Sequence, residues 1–311
     1  MISASVSHAA ADIGKRFQAG VPFPHVSIDG FLAPQACESL LQDFPPFDER
    51  KALNEFGKPG RKAVHERVSG ISAFYGEFYR YINSREFLRA MSDLTGIPKL
   101  LADPELFGCG THDNLDGQGL DVHVDFNVHE GLNAHRRLNL LIYLNKEWEE
   151  SWGGAIELHA DPWSRQSGEA ASFLPLFNRA VIFETSERSW HGFKRIRLPA
   201  DRKHLSRKSF SIYLYTKDRP AEEIAPPHTT FYVPPAPPEV AAGTSLSTLQ
   251  VEDIRRAFEH RDGLLRLYQK LLIDKERYHQ IVLNSRSWRA LSALRRAKAR
   301  LLSLFRPPES T

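Results

Sequence analysis

Strict alternation of apolar and polar residues marks the middle of the chain. In RRLNLLIYLNKEW, Arg136 to Trp148, an extended backbone puts Leu138, Leu140, Ile142 and Leu144 on one face and Asn139, Leu141 and Tyr143 on the other. The half-polar second face is that of a lined pocket, not of a solvent surface. RKSFSIYLYT alternates in the same way, with Arg207, Ser209, Ser211 and Tyr213 on one face and Phe210, Ile212 and Leu214 on the opposite one. Between them, Trp152-Gly153-Gly154 reads as a glycine turn that leads into a short strand, AIELH.

The flanks follow other periods. Residues 1 to about 100 combine a strand at His25 to Ile28 with several helices, one or two of them between Ile71 and Leu94, where apolar spacing is nearer 3 to 4 than 2. Strands dominate from about 101 to 219. Pro220 to about Pro238 carries three Pro-Pro pairs, a composition that neither continues a strand ladder nor starts a helix and so predicts a stiff connector or a strap over the core. Leu246 to Phe305 reads as helices: one over Leu249 to Asp262, another from Gly263 to about Arg300, with a break around Asn284-Ser285. The last stretch, SRSWRALSALRRAKARLLSLFR, has seven Arg or Lys from Arg286 to Arg306 and no acid. It reads as a basic amphipathic helix suited to an anionic membrane surface or an acidic partner, and equally to packing on its own domain or a second subunit.

Candidate chemistry sits on the strand-rich region. His123 and Asp125 in His123-Val124-Asp125 are two apart, so on an extended segment both side chains point the same way, and His191 in RAVIFETSERSWHGF offers a second imidazole from another strand. Two imidazoles and one carboxylate can hold a ferrous ion by one face and leave the opposite positions for a co-substrate and dioxygen. Arg207 looks into the same cavity, and a guanidinium donates two parallel hydrogen bonds to a carboxylate. His112, His129, His135 and His159 read as loop or surface histidines. Asp113 and Asp121 read as turn formers beside Asn and Gly, with shaping of the substrate entrance as the alternative. Trp190 suits packing as much as substrate stacking.

From about Pro22 to Thr216 the chain resembles the Fe(II)- and 2-oxoglutarate-dependent oxygenases, most closely their bacterial prolyl-4-hydroxylase-like branch. PFPHVSIDGFLAPQACESLL is similar to that branch's N-terminal strand and helix. HVD, IYLNKEW with a following Gly-Gly pair, the late His191 and Arg-x-x-x-Ser then appear in the family's order. The resemblance implies His123, Asp125 and His191 as iron ligands, Arg207 as the anchor for the distal carboxylate of 2-oxoglutarate, and Tyr143 and Ser211 as its hydroxyl partners. The 16 residues from His191 to Arg207 exceed the family's usual spacing of about nine or ten, through a charged insertion, RIRLPADRKHL. Arg195, Arg197 and Arg202 are therefore rival anchors, and only Arg207 lies in register on an alternating strand.

The implied fold is a mainly β core, a double-stranded β-helix (jelly roll), with N-terminal flanking helices and a separate C-terminal helical extension, α+β overall. Residues 1–219 would form the oxygenase domain, 220–245 a Pro-rich linker and 246–311 the extension. The implied activity is hydroxylation of an unactivated C–H using Fe(II), 2-oxoglutarate and O2, with ascorbate as an admissible reductant. The basic tail also resembles those of bacterial enzymes of cell-surface polysaccharide assembly, which points to a saccharide or glycan-precursor substrate. A prolyl or other residue in a protein is the alternative substrate, and a non-catalytic scaffold acting through its helical tail is the second alternative.

Composition narrows the class further. A chain of 311 residues can bury one good core and carry additions, and a formal net charge of +3 demands no nucleic acid. Two cysteines, Cys37 and Cys109, make no disulfide framework and suit a reducing compartment. The N-terminus lacks a basic-then-apolar signal pattern and no run of about eighteen apolar residues occurs. These features predict a cytoplasmic protein, peripheral at the inner membrane face if residues 286–306 bind lipid, with homodimerisation left open.

Overall fold

The structure is a computed structural model that describes residues 1–52, 62–163, 171–234, 240–291 and 294–295. It divides into two compact units, Met1–Pro235 and Ala236–Thr311.

In the first unit the strands are β1 (His25–Asp29), β2 (Ala63–His65), β3 (Leu101–Ala102), β4 (Gly110–Asn114), β5 (Leu120–Val124), β6 (Val128–His129) and β7 (Ala134–Tyr143). They continue with β8 (Ile156–His159), β9 (Ala171–Phe173), β10 (Arg179–Glu184), β11 (Trp190–Phe193), β12 (Arg207–Thr216) and β13 (Phe231–Tyr232). Among the described residues they form two antiparallel sheets. The major one runs β1-β10-β7-β12-β4-β2, with β3 beside β12 and β6 beside β7; the minor one runs β13-β5-β11-β8-β9. Apart from the consecutive pairs β6-β7 and β8-β9, neighbours in both sheets are distant in sequence, which is the crossover pattern of a double-stranded β-helix.

The alternation read from the sequence decides which face of the major sheet meets which partner. Leu138, Leu140, Ile142, Ile182, Phe210, Ile212 and Leu214 are buried in one cluster with apolar residues of the N-terminal helices, each worth roughly 1.5–3 kcal/mol of burial. Those helices are α1 (Ala4–His8), α2 (Ala10–Gln18), α3 (Pro34–Gln42), α4 (Ala73–Ile82) and α5 (Arg85–Thr95). Serines start the last two: Ser72 accepts from the Tyr75 amide and Ser84 from the Phe87 amide. Phe78 of α4 then meets Phe210 of β12 edge-on at 5.0 Å. The opposite face of the major sheet contributes Tyr143, Val181 and Phe183 to a second cluster with Ile156 and Leu158 of the minor sheet.

Two sequence expectations are corrected in this unit. Residues 231–232 lie inside the proline-rich stretch yet pair with β5, Phe231 opposite Val124 and Tyr232 opposite His123. Prolines flank this segment rather than occupy it, so its amides remain able to bond. Asp113 and His112 lie in β4 and are buried, not in a turn or at the surface, because β4 pairs with both β12 and β2.

The second unit holds α6, Thr248–Asn284, a single helix where two were expected. Gly263 does not interrupt it: one interior glycine costs about 1 kcal/mol, far less than a proline. A capping box between Ser247 and Gln250 starts α6, and Ser285 ends it with an extended backbone, at the expected break. Most of the basic stretch 286–306 lies outside the described residues. Among the described residues, no helix is long and apolar enough to cross a membrane.

Pairing of β11 with β5 brings His191 opposite His123. Gly192 allows this approach, since a Cβ there would lie 2.6 Å from the Leu120 carbonyl oxygen and 3.0 Å from the Val122 amide nitrogen. Gly192→Ala is expected to destabilise the fold by about 1–3 kcal/mol through this overpacking, measured as a lower urea midpoint. An unchanged midpoint would show that β5 and β11 separate without cost.

Candidate active site

His123 at the end of β5, Asp125 just beyond it and His191 on β11 converge so that one ligand atom from each lies within 4.8 Å of the others. The two-residue spacing directs His123 and Asp125 to the same side, and the cross-strand register supplies His191. Each imidazole is already oriented. Nδ1 of His123 lies 2.8 Å from the Asp121 carbonyl oxygen, and Nδ1 of His191 lies 2.8 Å from that of Ser189. A carbonyl only accepts, so both Nδ1 atoms carry the proton and both Nε2 atoms present a lone pair. Those Nε2 atoms face Asp125, at 3.7 Å for His123 and 3.4 Å for His191. Burial, and then the neighbouring His123, push the His191 pKa down to about 3, so its imidazole is neutral at physiological pH. Two imidazoles with Nε2 turned inward and an ionised carboxylate, all largely buried, form a donor set that fits Fe(II).

Asp125 is held by a charge that lies outside simple alternation. Arg136 Nη2 is 3.0 Å from Asp125 Oδ2, and Asn139 donates to the same oxygen at 2.8 Å while accepting from Arg136 Nε and Nη2. The guanidinium is fully buried, stacked 3.4 Å from the centre of the Tyr213 ring and 4.6 Å from that of Phe126. Burial opposes ionisation of Asp125 most strongly, but Arg136, His191 and His123 together outweigh it and hold the carboxyl well below the usual range. Alternation alone would put Arg136 on the face of Leu138, away from Asn139. The register slips between Leu138↔Leu214 and Arg136↔Tyr215, leaving Arg137 as the extra residue, so Arg136 and Asn139 share a face.

Arg207 enters the same pocket from β12, beside Ser209 and Tyr213 of its face and Asn139 and Leu141 of β7. It is 4% exposed, and burial lowers its pKa, with Tyr143 opposing that shift. Nε donates to the Gly154 carbonyl at 2.6 Å and Nη2 to the Tyr143 hydroxyl at 3.0 Å, while the guanidinium carbon lies 4.1 Å from the Phe193 ring centre. The Trp-Gly-Gly turn makes this possible: Gly154 has φ +73°, and a Cβ there would lie 3.0 Å from the Trp148 ring and 3.3 Å from Arg207 Cδ. Two of the rival cations are used elsewhere. Arg195 donates to the Gly117 carbonyl, and Arg202 pairs with Glu147 and Asp201.

The remaining expected residues distribute as follows. Ser211 is fully buried with its hydroxyl 2.9 Å from Nδ1 of His112, and His112 and Ser209, not Ser211, line the pocket. His112 is a correction to its reading as a surface residue. Its Nε2 donates to the Gly108 carbonyl at 2.9 Å, and burial, then Lys62, hold its pKa well below the ordinary value. His129 stands 3.3 Å from Asp103, away from the triad. Sequence reasoning overlooked Arg136, Lys62 and Tyr232. Tyr232 stacks on His123 at 5.1 Å, and its only sequence signal was an aromatic pair between prolines.

Residues 109–215 match the family described as the 2OG-Fe(II) oxygenase superfamily. The matched segment carries the double-stranded β-helix strands and the His-Asp-His triad of a 2-oxoglutarate- and Fe(II)-dependent oxygenase. No curated protein matches the chain. Similar solved structures include a prolyl hydroxylase in complex with a hypoxia inducible factor peptide fragment from Trichoplax adhaerens, at 14% identity, TM-score 0.46, covering 68% of this chain and 91% of that one. A prolyl 4-hydroxylase from Phytophthora capsici is 17% identical, with TM-score 0.45 and coverage of 96% and 92%. HygX from Streptomyces hygroscopicus with iron bound is 10% identical, with TM-score 0.41 and coverage of 66% and 90%.

Arg136→Met would leave the Asp125 carboxylate buried with its main countercharge removed, a loss of about 3–5 kcal/mol. The expected result is a lower melting temperature of the metal-free protein, part of which Mn(II) restores. A melting temperature equal to that of the wild type would show that Asn139 and the imidazoles suffice to hold Asp125.

Proposed function

We propose that this oxygenase hydroxylates a prolyl or other residue of a protein substrate, with His123, Asp125 and His191 holding Fe(II) and Arg207 binding the distal carboxylate of 2-oxoglutarate. The observation that carries the co-substrate assignment is the buried Arg207, fixed by Gly154 and Tyr143, in the same pocket as the triad. A dianionic co-substrate suits this pocket, because a buried guanidinium gains most from a bidentate carboxylate partner.

Bound Fe(II) and 2-oxoglutarate supply the oxidising chemistry with O2. The balanced outcome is one hydroxyl on the substrate, with succinate and CO2 from 2-oxoglutarate and O2. The protein's own residues position and shield. Tyr143 and Gly154 aim Arg207, Arg136 and Asn139 keep Asp125 ionised and oriented, and Leu141, Ile156, Phe183 and Phe193 give the pocket dry walls. No protein general base is required.

The entrance supports a peptide over a saccharide. A groove of about 340 Å³ opens on His123 and Asp125 and is lined by Phe107, Phe126, Tyr213 and Tyr232, with Thr230 beside them. Aromatic walls with few neutral polar partners suit a pyrrolidine ring or an apolar side chain better than a sugar, whose hydroxyls each need a partner. The glycan reading rested on the tail, most of which lies outside the described residues.

Anaerobic calorimetry of 2-oxoglutarate into Mn(II)-loaded protein tests the assignment. Wild type should bind saturably and only with metal, Arg207→Ala should bind about 30-fold weaker or worse, and His191→Ala should lose the metal-dependent binding together with turnover. Metal-independent binding, or full turnover by His191→Ala, would overturn it.

A further inference from the structure

The charged insertion between β11 and β12, residues 195–205, is built into the fold and not looped out from it. Lys194 to Arg197 continues the line of β11 between two neighbouring segments. On one side the Gly117 amide donates to the Ile196 carbonyl and the Ile196 amide to the Gln118 carbonyl, both at 2.8 Å. On the other, the Gly154 amide donates to the Lys194 carbonyl at 3.0 Å and the Arg197 amide to the Trp152 carbonyl at 2.8 Å. Side chains alternate along it, with Ile196 and Leu198 buried and Lys194 and Arg197 exposed. The buried pair joins Trp148, Trp152 and Phe193 in one apolar cluster. The glycine turn is approached closely, since a Cβ on Gly153 would lie 2.4 Å from the Arg195 carbonyl oxygen.

That turn is the one that aims Arg207. Gly154 accepts from Arg207 Nε through its carbonyl and donates to Lys194 through its amide, so one residue is fixed from both ends. Ile196 Cγ1 and Arg207 Cδ lie 3.2 and 3.3 Å from the point that a Gly154 Cβ would occupy, so both side chains crowd the same side of the turn. Phe193, of the same cluster, faces the guanidinium at 4.1 Å. The insertion is held in turn by Asp116, on the loop between β4 and β5. Its Oδ1 accepts from the Leu198 amide at 2.7 Å and its Oδ2 pairs with Lys203. Asp116 does not line the pocket that contains Arg207.

We infer that the insertion is a brace that sets the aim of Arg207, and that Asp116 is a positioning residue for the co-substrate from outside its pocket. This rests on the proposed binding of the distal carboxylate of 2-oxoglutarate by Arg207. A bidentate guanidinium–carboxylate pair requires alignment of both groups, and a guanidinium on a loosened support loses that alignment while keeping its charge. The chain of support is short: Asp116 holds Leu198, the backbone of 194–197 holds the glycine turn, and Gly154 holds Arg207. Its effect is selectivity for a 2-oxo acid that carries a second carboxylate.

The test compares 2-oxoglutarate with 2-oxopentanoate, which has a methyl group in place of the distal carboxylate, by anaerobic calorimetry on the Mn(II)-loaded full chain. Wild type should prefer 2-oxoglutarate by about 30-fold or more, a preference that Arg207→Ala removes. Asp116→Ala should lower the preference roughly three- to tenfold through weaker binding of 2-oxoglutarate, while 2-oxopentanoate binds as in the wild type. A role limited to stability would leave the ratio unchanged. Asp116→Asn keeps an oxygen for the Leu198 amide and should keep the wild-type ratio, because the exposed pair with Lys203 contributes little. In the metal-free protein, Asp116→Ala should speed amide hydrogen exchange at Gly154 as well as at Leu198, followed by NMR. A wild-type ratio in Asp116→Ala, or faster exchange at Leu198 with none at Gly154, would overturn the inference and leave the Arg207 assignment standing. Equal affinity of the wild type for the two oxo acids would remove that assignment and the inference with it.

Discussion

Antiparallel pairing of β11 with β5 is the constraint on which the site depends. It sets His191 directly across from His123, and the two-residue step to Asp125 then completes a set of three ligand atoms within 4.8 Å. Everything adjacent serves that approach. Gly192 lets the strands close, Tyr232 of β13 packs on the outer side of His123, and Phe183 of the major sheet packs on His191 at 4.6 Å. The two imidazoles are thus clamped between elements far apart in the chain, and their carbonyl partners fix which nitrogen carries a lone pair.

The second determinant is the pair of buried guanidiniums on the inner face of the major sheet. Arg136 and Arg207 are both largely inaccessible, yet their surroundings differ in kind. Arg136 meets a carboxylate and an amide and is already neutralised. Arg207 meets a carbonyl, a hydroxyl and aromatic faces, all of which orient it without cancelling its charge. A buried cation with only neutral partners costs free energy that an anionic ligand can offset, and the pocket is built to receive one. Arg136 therefore serves Asp125, whereas the charge of Arg207 is left for the anionic co-substrate in the proposed assignment.

A groove opens on this centre. Lys62 lines both the triad pocket and the groove. The proline-rich strap contributes Thr230 and Tyr232 to the same wall, which makes a segment that looked like a spacer part of the site.

Local periodicity and residue chemistry determined much of this protein from the sequence alone. Period-two alternation located β7 and β12 and their pocket faces, because side-chain direction on an extended strand follows from backbone geometry. The HVD triplet, the late His191 and Arg207 stood out because few residue types bind metals and carboxylates. Tertiary structure alone decided the rest. The bulge at Arg137 turned Arg136 toward Asp125, and strand pairing buried His112 and drew residues 231–232 into the minor sheet. A register slip or a non-local strand pairing depends on residues many positions away, and a pattern read along one segment contains no term for it.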